Sequence, residues 1–215
     1  QISEFFFFFQ MGRPPKWEKW QVINAILYVN RTGCQWRMLP VNFPPWRTVY
    51  FYYWSWQRDG VWQRINDVLV KKVRKQAGRH ERPSAAVIDS QSVKTSEGGE
   101  ERGVDVHKQT PGRKRHLVVD VLGLVLLVVV HSASIQDGAG GLLTLQKLFD
   151  HIKHNLHNRW CRLKLIWADG GYPSIIDAVR QRFGWTLQIV KRSDEVKGFQ
   201  VLPHRWVVER TFGWL

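Results

Sequence analysis

Cysteine is scarce in this chain. Of 215 residues only Cys34 and Cys161 carry thiols, and they lie far apart in no C-x-x-C arrangement, which excludes a disulfide framework and a cysteine zinc site. A reducing, cytoplasmic setting is expected. Long apolar runs are also missing: the longest, Val121 to Val130, is interrupted by Gly123 and has about half the ~20 residues of a membrane helix, so it reads as buried strand and no membrane partner is expected. Acidic residues are in deficit, 18 against 32 Lys and Arg, which leaves a net charge of +14 and calls for a polyanionic partner. Charge by itself does not choose between nucleic acid and other anionic surfaces. The N-terminal end lacks the basic region of a secretory signal, since Glu4 precedes the run Phe5 to Phe9. Residues 1–15 are expected to form a disordered or non-native leader, with Met11 as an original start.

Past that point the pattern is helical. Trp17, Trp20, Ile23 and Leu27 recur at three- and four-residue spacing and predict a helix from Lys16 to Gly33, with these side chains, like Trp54 and Trp56 further on, in a core. Pro40, Pro44 and Pro45 mark a loop, and two more helices are expected over Trp46–Gln57 and Val61–Ala77, separated by Asp59-Gly60. The second of these ends in Lys71, Lys72, Arg74 and Lys75, which suit either a helix C-terminus or a DNA contact. After a polar break at Gly78 to Ser84 the period changes. Strands are expected at Ala85–Ile88, Arg115–Val121, Leu124–Val130, Leu163–Ala168 and Thr186–Val190, with helices at about Gly141–His157, Pro173–Arg182 and Pro203–Leu215. The boundary between a helical domain over 16–80 and a mixed α/β domain over 84–215 falls in the break.

Asp89 and Asp169 each follow an apolar strand run, where an uncompensated charge would be costly. If their strands are parallel neighbours, both carboxylates reach one crevice at the strand ends. Glu209 shares a helix face with Arg205, one turn away. Carboxylate oxygens alone suit Mg²⁺ or Mn²⁺, and two such ions serve phosphodiester chemistry. Any one of these carboxylates could equally cap a turn or form a surface ion pair. Asp120, mid-hairpin, and Asp137, a helix cap, are weaker ligand candidates.

Four segments carry a resemblance: V-I-D-S-Q-S-V-K (87–94), G-R-K-R-H-L-V-V-D-V-L-G-L (112–124), I-W-A-D-G-G-Y (166–172) and V-L-P-H-R-W-V-V-E-R-T-F-G-W-L (201–215). In this order they are similar to the successive motifs of bacterial insertion-sequence transposases of the DDE type, in the insertion sequence five group, which is also grouped with insertion sequence four. N-A-I-L-Y-V-N-R-T-G-C-Q-W-R-M-L-P (24–40) and F-P-P-W-R-T-V-Y (43–50) resemble the helical domain that precedes catalysis there.

The resemblance implies a ribonuclease-H-like mixed sheet flanked by helices, preceded by a small all-helical DNA-binding domain. Asp89, Asp169 and Glu209 would be its catalytic acidic residues and the ligands of two Mg²⁺ or Mn²⁺ ions. Lys94, Arg113, Lys114, Arg115, His116 and Arg205 would contact DNA. The expected partners are double-stranded DNA, as terminal inverted repeats and target, and a second copy in a homodimer on that DNA. The expected location is the bacterial cytoplasm, at the nucleoid. Relatives continue through a basic tail, so the chain is expected to be C-terminally truncated. The alternatives to strand cleavage with strand transfer are a catalytically defective DNA-binding remnant and a ribonuclease-H-like nuclease that does not join ends.

Overall fold

A computed structural model describes residues 16–95, 101–155, 162–190 and 205–214. The expectations for the leader and Met11, for Cys161, for a helix end at His157, and for Pro203 and Leu215 as helix limits lie outside the described residues. The chain divides into two compact units, Gln1–Leu69 and Val70–Leu215. This division comes earlier than the expected break at 80–84. The reason is Arg74, which is almost fully buried and paired with Asp120 of the second unit.

In the first unit, α1 (Lys19–Thr32) opens on a capping box between Glu18 and Gln21 and stops at Gly33, whose φ of 67° is left-handed. Its buried positions are Val22, Ala25, Ile26 and Val29, spaced i, i+3, i+4, i+7. They pack with Val49 and Trp56 of α2 (Trp46–Arg58) and with Val61 and Ile65 at the start of α3 (Val61–Gln76). Trp17 and Ile23 of the expected Trp17-Trp20-Ile23-Leu27 stripe are half-buried against this core, while Trp20 and Leu27 are exposed. Of the four tryptophans expected in the core only Trp56 is buried there, and Trp20 and Trp54 keep 61% and 48% of their surface. On α1 small and β-branched side chains set the packed face, because they let the helices approach, and α2 adds the ring of Trp56 to it.

The second unit is built on a six-stranded sheet. Its strands are β1 (Ala85–Lys94), β2 (Gly103–Asp105), β3 (Thr110–Asp120), β4 (Val125–Ser132), β5 (Leu165–Ala168) and β6 (Thr186–Ile189). β1 lies between β3, antiparallel to it, and β5, parallel to it, and β6 extends the parallel side. The other edge of β3 is shared, with β4 along Arg113–Val119 and β2 along Thr110–Gly112. Helices α4 (Asp137–Asn155) and α5 (Ile176–Phe183) cover one face over Ala86, Ile88, Val118 and Ile166. α6 (Trp206–Trp214) covers the other, with Val207, Val208 and Phe212 on Val87, Leu117 and Val119. This is the mixed α/β sheet flanked by helices, preceded by helices, that the resemblance implies.

The structure changes two of the strand expectations. β1 runs on past Asp89 to Lys94, paired along its whole length with β3, and β2 is an additional strand. The polar stretch Ser90 to Lys94 reads as a turn only while its partners are unknown, for each of its inward polar groups meets a polar group of β2, β3 or α4. Among the described residues no helix is long and apolar enough to cross a membrane.

Candidate catalytic site at the ends of two parallel strands

β1 and β5 are parallel neighbours with Ala85–Val87 opposite Leu165–Trp167, so Asp89 and Asp169, each two residues beyond the last paired position, emerge side by side. Strand alternation turns Asp89 toward the face that α6 covers, the same face as Val87. Each aspartate is tied to the backbone by one oxygen. The Ser90 N–H donates to Asp89 Oδ1 at 2.7 Å, and the Gly171 N–H donates to Asp169 Oδ1 at 2.8 Å. The second oxygens face a common guanidinium: Arg205 Nη2 stands 3.9 Å from Asp89 Oδ2, 3.8 Å from Asp169 Oδ2 and 3.7 Å from Glu209 Oε1. All four expected site residues of this group are thus brought together. Exposure is graded across them, the side chains of Asp89, Asp169 and Glu209 keeping 14%, 30% and 48% of their surface.

One cation for three carboxylates, at distances too long for hydrogen bonds, leaves the site short of positive charge. Asp89 registers the deficit. Burial, and then the charge of Asp169, raise its carboxyl to about 6, against the opposing pull of the Ser90 N–H and Arg205. The Nε of Arg205 is itself buried without a hydrogen-bond partner among the described residues. An all-oxygen donor set with excess negative charge fits a hard divalent cation in its chemistry. The three carboxylates are spread around the guanidinium, and among the described residues no three His, Cys, Asp or Glu side chains are already close enough to hold an ion.

The basic run at the start of β3 splits between the two sheet faces. Arg115 lies on the Asp89 side, where its guanidinium donates to Gln91 Oε1 at 2.9 Å and sits 5.4 Å from the Phe212 ring. By alternation Arg113 shares that face, and Lys94 is exposed where β1 ends. Lys114 and His116 point the other way, and their burial does not suit phosphate binding. Lys114 is 3% exposed and bonds Asp137 at 2.8 Å, Asp105 at 3.2 Å and the Ile135 carbonyl at 3.0 Å. Ser90 Oγ donates to Asp137 and Ser92 Oγ to Asp105, closing a buried network on the reverse of the strand that carries Asp89. His116 is fully buried, stacked on His131 at 4.9 Å, with its Nδ1 3.1 Å from the Tyr172 hydroxyl. Burial, then the neighbouring His131, push it down to about 3, so it is neutral.

The sequence pattern does not reveal this network, because Asp105 lies on β2, a three-residue strand without an apolar run, and Asp137 comes from α4, beyond the next strand. Asp137, read as a helix cap, does lie in the first turn of α4, and its charge is spent on Lys114 and Ser90. Burial works against its ionisation, but those two hydrogen bonds outweigh it and hold the carboxyl below its usual range. Asp120 is bound to Arg74 and accepts from the Leu122 and Leu124 N–H groups of the β3–β4 turn, so it holds the hairpin and takes no part in the site. Arg74 is accordingly neither a dipole partner nor a DNA contact.

Residues 80–215 match the family model described as "Transposase DDE domain", and residues 7–66 match one described as "Putative transposase of IS4/5 family". Two similar proteins come from Burkholderia cepacia. "Putative transposase for insertion sequence element IS402" is 36% identical over 107 residues, 49% of this chain and 49% of that protein. "Insertion element IS402 uncharacterized 16.2 kDa protein" is 33% identical over 95 residues, 41% of this chain and 57% of that protein. The chain spans about half the length of these relatives. Among solved structures, the Mos1 transposase paired-end complex with left transposon end covers 84% of this chain and 61% of its own at 11% identity, with a TM-score of 0.32, too slight a likeness to carry an argument.

Proposed function

The chain belongs to the transposase DDE-domain family, whose model spans residues 80–215, and from that membership we propose that it cleaves DNA strands at the ends of an insertion sequence and transfers them to target DNA. The observation that supports this reading is the convergence of Asp89, Asp169 and Glu209 within 3.7–3.9 Å of one guanidinium, just beyond the point where two parallel strands part. In the first step water attacks a phosphodiester phosphorus and the P–O3′ bond breaks, the 3′ oxygen leaving as a hydroxyl. In the second, that hydroxyl attacks a target phosphorus, so one P–O bond forms as another breaks.

Asp89, Asp169 and Glu209 would hold Mg²⁺ or Mn²⁺, two ions in all, whose chemistry when bound is to activate the attacking oxygen and neutralise the leaving one. The Ser90 and Gly171 N–H groups fix one oxygen of each aspartate and leave the other, turned to Arg205, to bind an ion. Arg205 limits the repulsion among the three carboxylates and offers a guanidinium to a strand phosphate. Arg113 and Arg115, on the face of Asp89, and Lys94, exposed where β1 ends, would bind the flanking backbone of double-stranded DNA, at inverted repeats and target. The active species would be a homodimer on DNA, in the bacterial cytoplasm at the nucleoid.

Supercoiled DNA carrying the element's ends, incubated with the chain and Mg²⁺ or Mn²⁺, should be nicked and its ends joined, and Asp169→Ala should lower both by about a thousandfold or more. Nicking without joining would make the chain a nuclease, and equal activity in the variant would refute the site. Inactivity of both proteins with end-specific binding intact would leave a DNA-binding remnant.

A further inference from the structure

The rings that α2 leaves outside the core of the first unit form a pattern with its arginines. At about 100° per residue, Arg47, Tyr50, Phe51, Trp54 and Arg58 fall within roughly 100° of arc, opposite the buried Val49 and Trp56. Tyr50, Phe51 and Trp54 keep 44%, 47% and 48% of their surface. The Arg58 guanidinium lies 4.8 Å from the Trp54 ring, and Arg47 lies 5.5 Å from that of Trp46. Asp59, 2.9 Å from Arg58, is the one acidic group paired with these cations among the described residues. A stripe of three half-exposed rings with an arginine at each end, on a chain of net charge +14, is complementary to a polyanion that also presents flat aromatic faces.

We infer that this face of α2 binds single-stranded DNA, the rings stacking on unpaired bases and Arg47 and Arg58 holding the phosphates on either side. The inference rests on the reading of DNA as substrate and names the form of DNA that this unit takes. Duplex readout by a helix needs polar side chains directed at base edges in the major groove, whereas along this stripe the side chains between the two arginines are rings, Tyr50 alone among them carrying a hydroxyl, with the exposed Gln57 beside them. Ring faces are matched instead by bases free of their partners, as strand cleavage and exchange produce them. The eleven helical steps from Arg47 to Arg58 rise about 16 Å, room for roughly four to five nucleotides at ~3.4 Å each.

The test is the affinity of the full chain for a labelled twenty-nucleotide oligothymidine and for a duplex of equal length, by fluorescence anisotropy over a range of salt. Trp54→Ala should weaken single-strand binding about tenfold while leaving the duplex and the melting temperature unchanged, and Trp54→Phe should restore most of it. Arg47→Gln and Arg58→Gln should each lower the slope of log affinity against log salt by about 0.7. The inference is overturned if the wild-type chain does not bind the oligonucleotide, if Trp54→Ala binds it as tightly as wild type, if duplex binding falls in parallel, or if light scattering shows the variant breaking a dimer, which would make the stripe a contact between copies. Asp169→Ala should bind the oligonucleotide normally. A chain that does not nick DNA but loses single-strand binding with Trp54 would keep this inference and refute the strand-cleaving reading.

Discussion

The two faces of β1 hold their charges in opposite ways. On one, Asp89 with Asp169 and Glu209 shares a single guanidinium at 3.7–3.9 Å, and burial keeps the Asp89 carboxyl near 6. On the other, one residue along, Ser90 enters a network in which two carboxylates meet a lysine at 2.8 and 3.2 Å and two serine hydroxyls fill remaining sites. Burial works against ionisation of Asp105 as well, but bonds from Ser92, the Lys108 N–H and Lys114 outweigh it and bring its carboxyl down to about 2. Satisfied charge holds strands together, whereas negative charge left in excess draws cations. The same strand supplies both because successive side chains point to opposite faces.

The largest expected break in this contrast is Lys114→Met. It strands two carboxylates in the network and should cost about 3–5 kcal/mol of folding stability, measured by urea unfolding at pH 7. If the loss is below about 1 kcal/mol, the network does not hold the sheet.

On the other face Asp89→Asn should stabilise the metal-free protein by about 2 kcal/mol at pH 8, measured in a chelator. The sign follows from a folded carboxyl near 6 against an unfolded one near 3.9, so the charged form costs stability at high pH. The advantage of the variant should shrink as pH falls below about 6 and vanish near 4. Asp105 behaves inversely, contributing stability above about 4 that is lost as pH drops toward 2. A difference between Asp89→Asn and wild type that did not vary with pH would remove the contrast.

The smallest effect is expected at Gly140, where an added Cβ would come within 2.4 Å of both His116 Nε2 and His131 Nε2. Gly140→Ala should cost about 1–2 kcal/mol by calorimetry, with the metal-binding face unaffected. An unchanged melting temperature would mean that the paired rings have room to move.

How much of this was legible in the sequence depends on whether partners are near in the chain. The apolar runs that lead to Asp89 and Asp169 are legible, because each stops at its acid, while their parallel pairing stands in the sequence only as a condition. The helix bearing Glu209 is legible too, for its apolar stripe fixes its face. The second half of β1 is not, since Ser90, Gln91 and Ser92 look like turn residues until Asp137, Arg115 and Asp105 are seen beside them. The resemblance assigns all of 113–116 to DNA, yet a strand must divide the run, and only the alternate members Arg113 and Arg115 share the face of Asp89. In the helical unit hydrophobicity and burial part company at Trp20 and Trp54, which stay exposed while helix contact selects Val22, Ala25 and Ile26.

The single-oxygen tethers at Asp89 and Asp169 turn side-chain length into a ruler. With one methylene between Cα and the carboxyl group, an aspartate can reach its neighbouring amide with one oxygen and still hold the other at a set depth in the crevice. A glutamate would carry the same charge one bond further out, and it could keep either the amide or that depth, but not both. At these two strand ends it is therefore the reach of the residue, as much as its sign, that the fold prescribes.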